Sequence, residues 1–196
     1  AMPKPASTPA DSAPTAWPDV QAARHALIDA QGRRDWRQAR AWGEAALARW
    51  PQEVGLWHIH AVSLALNGET EAAVALWQRV LARVPDHAEA LANLGNAYLA
   101  LKQPAQAITH LQRALQLQPD DPTALYNMAV AQHNARQWAQ AEAPLRHLLT
   151  LQAQHAAAWS LLAQIKQAQW DYAGVFDVVE AARRAGAAGP ALLHRQ

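Results

Sequence analysis

Residues 88–121 read AEALANLGNAYLALKQPAQAITHLQRALQLQPDD, and the rest of the chain repeats this pattern at a fixed spacing. Pro119 stands 34 residues after Pro85, which itself stands 34 after Pro51. With these three prolines set at position 32, the chain divides into 20–53, 54–87, 88–121, 122–155 and 156–189. Small residues then align: position 20 carries Ala39, Ala73, Ala107, Ala141 and Val175, and position 8 carries Leu27, Ala61, Gly95, Ala129 and Ala163. Two helices that cross closely need little side chain where their axes come nearest, with bulkier knobs beside that point. The knobs recur as well, with Trp57, Leu91, Leu125 and Trp159 at position 4 and Trp77, Leu111, Leu145 and Val179 at position 24. A period of this length, written as two short helical patterns, is what a helix-turn-helix solenoid requires. An ordinary bundle has no reason to keep proline and alanine in step over several units.

The expected fold is therefore all-α, ten helices in five antiparallel pairs. Helix A of each unit is predicted over positions 2 to 14 and helix B over positions 17 to 30. Asp35 is an N-cap candidate ahead of Trp36, and Pro104 opens a helix where its missing N–H costs nothing. Pro144 falls inside a helix B, where it removes one backbone bond and is expected to bend it.

At this point the chain resembles the tetratricopeptide repeat family. The third unit carries Leu91-x-x-Leu94-Gly95-x-x-Tyr98, then Ala107, Leu111, Ala114 and Pro119, and the likeness extends over residues 20 to 189. The resemblance implies an α-solenoid of about five repeats forming a right-handed superhelical segment. It also implies that the A helices line a concave face through positions 2, 5, 6, 9, 12 and 13. Those positions include Asn93, Asn96, Tyr126, Asn127, Val130, His133, Asn134 and Gln164. An amide side chain offers donors and an acceptor together, so repeated asparagines can hold the backbone of an extended peptide whatever its sequence. The competing reading of Asn93 and Asn127 is soluble helix surface. Ile59 and Leu161 fill the same position in flanking units, and only Arg24 is basic in the set, which argues against a clamp for a C-terminal carboxylate.

Composition limits the partners. The formal net charge is +1 and 17% of residues are charged, so the chain does not look like a polyanion binder. The basic cluster Arg24, Arg33, Arg34, Arg37, Arg40 and Arg49 is interleaved with Asp29, Asp35 and Glu44, as on a solvated surface, and no nucleic acid is expected. Residues 1–19, rich in Ala, Pro, Ser and Thr, read as a flexible leader. No apolar run approaches a membrane span, and no cysteine points to an oxidising compartment, so the default location is cytoplasmic. Ala1 ahead of Met2 reads as a cloning remnant, and residues 190–196, with Leu192 and Leu193, read as the cut-short start of a following segment. The array itself is counted as one domain.

Chemistry is not legible. There is no Gly-rich phosphate loop, cysteine ligand set or Gly-x-Ser-x-Gly elbow, so no enzyme activity and no cofactor are expected. His58 and His60, two apart on a helix, point about 200° from one another and cannot share a metal unaided. His60 reads as a hydrogen-bonded core histidine, and Asp120 with Asp121 as caps for the next helix. Of the tryptophans, Trp36 and Trp138 share position 17 and are expected to wedge between repeats. Trp42, Trp50 and Trp170 fit the packing pattern less well, and the convex face around Trp42 is the candidate for self-association.

Two functional readings follow. The first is a protein-interaction module holding a peptide or partner segment in the concave groove. The second draws on a looser likeness: Gln169-Trp170-Asp171-Tyr172 and the turn from Arg184 to Pro190 resemble the segment after the last repeats of bacterial O-linked N-acetylglucosamine transferase-like proteins of the SPINDLY type. That resemblance implies the substrate-recognition arm of a larger protein O-glycosyltransferase whose catalytic region is absent from this chain.

Overall fold

A computed structural model describes residues 17–187. Residues 1–16 of the leader expected over 1–19, and the whole of the segment expected over 190–196, lie outside the described residues. Ten helices account for the fold: α1 (Val20–Gly32), α2 (Trp36–Arg49), α3 (Val54–Leu66), α4 (Thr70–Arg83), α5 (Ala88–Ala100), α6 (Pro104–Leu117), α7 (Pro122–Asn134), α8 (Trp138–Leu151), α9 (Ala156–Ala168) and α10 (Tyr172–Arg184). The A helices begin at 20, 54, 88, 122 and 156, one residue earlier than expected, and the B helices begin at position 17 in every unit. The architecture is an all-α solenoid of five helix pairs.

Local chemistry sets the helix ends. Asp19, Asp35, Asp121 and Asp171 each accept backbone N–H groups of the helix that follows, and Pro104 and Pro122 open α6 and α7. Helix α8 runs through Pro144 over its full length. The turn between the helices of a pair demands a left-handed residue at position 15. Arg34, Lys102, Arg136 and Trp170 adopt φ of 58–60° there, and Gly68 supplies it in the second unit. Only glycine takes that conformation freely, so four of the five turns hold a residue against its steric preference.

Contacts divide the chain into two compact units, 1–97 and 98–196, with the boundary inside α5. In the first, Ala23, Leu27, Ala46, Leu56 and Ile59 form a buried core. Trp17, in the stretch read as leader, joins them: it is buried, meets the Trp42 ring edge-on at 6.2 Å, and its carbonyl accepts a 2.6 Å hydrogen bond from Arg49. An indole of that size gains more from the core than a polar leader loses by ending early. In the second unit, Leu145, Leu148, Leu162 and Ile165 are fully buried or nearly so around Ala129, Ala141 and Ala158. Ala129, Ala141 and Ala158 are fully buried, as close-approach sites would be.

Candidate functional site

Helix α7 carries most of the candidate residues of the second unit. Asp121 accepts the N–H groups of Thr123 and Ala124 at 2.9 and 3.2 Å, and Pro122 fixes the first turn. Ala124, Leu125, Met128, Ala129 and Ala131 turn into the core. What remains is a stripe: Tyr126, Asn127, Val130 and His133 are partly exposed and Asn134 is exposed. The Tyr126 ring lies 5.4 Å from the His155 ring, whose Nδ1 accepts the Ala158 N–H at 3.1 Å and caps α9. That contact orients the tyrosine. On α9, Gln164 is exposed and donates to Ser160 Oγ at 3.4 Å. Among the described residues the Asn127 and Asn134 side chains make no hydrogen bond, so their donors and acceptors are available.

The stripe runs into a depression at its C-terminal end. His133, Asn134, Arg136, Trp138, Gln167 and Trp170 border a cavity of about 530 Å³. Trp170 is 78% exposed and sits edge-on to Tyr172 at 6.3 Å. Sequence reasoning singled out Trp170 as a poor fit to the packing pattern but did not join it to His133 and Asn134. Arg136 and Trp170 both occupy position 15, on neighbouring repeats, but that column shares no residue type and gave no signal.

Asn93 and Asn96 belong to the first unit, where Asn93 is partly buried and Asn96 exposed. Near them, the His58 and His87 rings lie 4.7 Å apart and His58 Nε2 is 3.4 Å from Glu89. His87 Nδ1 caps α5 by accepting the Ala90 N–H at 3.2 Å, just as His155 caps α9. His58 and His60 face different neighbours, since the His60 ring lies where a Cβ on Gly43 would overlap it. No group of three side chains suited to a metal exists among the described residues.

Two expectations are corrected. His60 is buried, but its Nδ1 has no hydrogen-bond partner, because Gly43 leaves a ring-sized space that offers no acceptor. Of the acidic pair, Asp121 caps α7, while Asp120 instead meets His147 at 2.8 Å. Trp42, the candidate centre of a self-association face, is partly buried, meets Trp17 edge-on and packs on the first core. Among the described residues the exposed large aromatics are Trp170, Tyr172 and Phe176. In the basic cluster, Arg40 pairs with Glu44 at 3.1 Å and Arg33 with Gln38 at 2.9 Å.

Burial holds the His58, His60 and His110 imidazoles below the usual range, with the charges of His87 and Arg24 adding to the effect at His58 and Glu89 opposing it. A lowered histidine binds protons more readily in the unfolded chain. Its contribution to stability is therefore full above about pH 6.5 and is lost as the pH falls through the folded value. We predict that urea midpoints hold between pH 8 and 7 and fall on going to about pH 5.5. Position 7 carries Leu94 and Leu162 in other units, so His60→Leu is expected to raise stability by about 1–3 kcal/mol and to flatten that fall.

Comparison with known proteins agrees with the geometry. Models described as tetratricopeptide repeat match residues 88–121 and 110–143. No curated protein matches. Among solved structures, the fold is similar to YrrB, described as a TPR protein with an unusual peptide-binding site, at TM-score 0.77 and 16% identity over 90% of this chain and 91% of that one. It is also similar to MamA from Desulfovibrio magneticus RS-1, at TM-score 0.79 and 17% identity over 85% of this chain and 94% of that one.

Proposed function

The chain is a tetratricopeptide repeat protein, and from that premise we propose that its second unit binds an extended segment of another protein along α7 and α9. The observation that carries this is the uncovered α7 stripe. Asn127 and Asn134 stand without intramolecular partners beside an oriented Tyr126 and an apolar Val130, and the stripe ends in the cavity bordered by Trp170. Amides hold the backbone of an extended segment, and Val130 and the rings take its apolar side chains. Asn93 and Asn96 offer the same chemistry on the first unit. The peptide-binding site of YrrB, a neighbour in fold, supports the reading.

The second reading, a substrate arm of a protein O-glycosyltransferase, uses the same face and differs in its ligand, which must carry an acceptor Ser or Thr. The test is a peptide selected from a random display library, titrated against the parent chain and against Asn127→Ala combined with Asn134→Ala. Each lost amide contact costs about 0.5–1.5 kcal/mol, so the pair is expected to weaken binding roughly five- to a hundredfold with circular dichroism unchanged. Undiminished binding would overturn the assignment. A selected set in which every binder carries Ser or Thr at one position would favour the second reading.

A further inference from the structure

Position 4 carries tryptophan twice, at Trp57 and Trp159. Both indoles are anchored alike: Trp57 Nε1 donates to the Pro51 carbonyl at 3.0 Å and Trp159 Nε1 to the Ala153 carbonyl at 2.8 Å, both acceptors being position 32 of the preceding unit. The outer faces of the rings differ. Over Trp57 lies the Arg79 guanidinium, 4.3 Å from the ring centroid, with Arg83 at 6.0 Å, and the indole is 3% exposed. Those arginines occupy positions 26 and 30 of their unit. In the fifth unit the same positions are Ala181 and Ala185.

The absence of these two side chains leaves space. Trp159 is only partly buried, and two adjoining cavities of about 370 and 310 Å³ open beside it, sharing Arg146, Trp159 and Leu162. Val178 and Ala181 make the larger one apolar, and Asp177 supplies a carboxylate at its border. The cations that also line it are already engaged. Lys166 meets Glu142 at 2.8 Å and Asp171 at 3.4 Å, and Arg146 meets Glu142 at 3.1 Å. Asp177 forms no ion pair among the described residues.

We propose that this slot takes the guanidinium of an arginine from a partner protein, filling in trans the place that Arg79 fills over Trp57. A planar cation stacks on an indole face and pairs with a carboxylate at once, which neither a neutral nor an anionic side chain can do. The slot is lined by residues of α8, α9 and α10 and by none of α7, and the proposal stands whether or not the α7 stripe binds peptide.

The test uses the full chain and the indole N–H resonances of a two-dimensional NMR spectrum, with the Trp159 signal assigned by its loss in Trp159→Phe. The probes are acetyl-Gly-Gly-Arg-Gly-Gly-amide and the same peptide with citrulline, which keeps the shape and removes the charge. The Trp159 signal is expected to shift saturably, with the arginine peptide binding roughly three- to tenfold tighter than the citrulline peptide. Ala181→Arg, which rebuilds the covering side chain within the chain, is expected to abolish the shift. Asp177→Asn, a surface change that leaves the fold alone, is expected to weaken binding severalfold. Equal affinity for both peptides, a shift that persists in Ala181→Arg, or no saturation up to the solubility of the peptide would overturn the proposal.

Discussion

Gly43→Leu is expected to destabilise the chain by about 3 kcal/mol, although leucine is the better helix former by most of a kilocalorie and stands at the same position in two other units. Gly43 lies in the middle of α2 at position 24, where Leu111 and Leu145 are fully buried knobs. Its missing side chain is replaced from across the interface: the His60 ring of α3 fills the space, and even a Cβ on Gly43 would overlap it. The volume of the contact is conserved while its owner changes. Gly43→Ala is accordingly expected to cost about 1–2 kcal/mol, as overpacking outweighs the propensity gain. Combining Gly43→Leu with His60→Ala should recover much of the loss, giving a coupling energy of about 1–3 kcal/mol in a double-mutant cycle followed by urea unfolding. Additive losses would mean that the two residues do not share one space.

Trp57→Ala is expected to cost about 3–5 kcal/mol, and Trp159→Ala clearly less. Both indoles donate to a carbonyl of the preceding turn, so the lost hydrogen bond is the same in each. The difference lies in burial. Truncating Trp57 empties a site closed by Arg79 and Arg83 and leaves two arginine stems without their ring, whereas truncating Trp159 enlarges a cavity that is already open. Denaturant unfolding of the two variants in parallel checks this, and equal losses would show that the Trp159 face is closed in solution.

The period made most of the fold legible. Pro51, Pro85 and Pro119 set the register, the alanines of position 20 marked the close approaches, and the helix ends fell within a residue of where they were expected. What escaped were features in which one unit departs from its neighbours. Comparing columns says that position 24 holds a knob, and it cannot say that Gly43 delegates that role to His60, since the compensation comes from the next unit. Position 15 gave no signal because Arg, Lys, Trp and Gly have no chemistry in common. They share a left-handed backbone imposed by the turn. The edge-on contact of Trp42 with Trp17 gave no signal either, because Trp17 lies ahead of the first repeat. For the site, the α7 residues came from the resemblance to the repeat family, but the cavity at Trp170 depends on two turns coming together, which no column shows.

The central claim is that the α7 and α9 stripe of the second unit is the working face. The most direct measurement maps the amide and methyl resonances of the chain on titration with a selected peptide. Saturable shifts concentrated at Tyr126, Asn127, Val130, Asn134 and Gln164, extending to the Trp170 indole and lost in the Asn127→Ala, Asn134→Ala variant, are the predicted result. Tight binding that leaves Asn127, Val130 and Gln164 unmoved while shifting residues elsewhere would contradict the account.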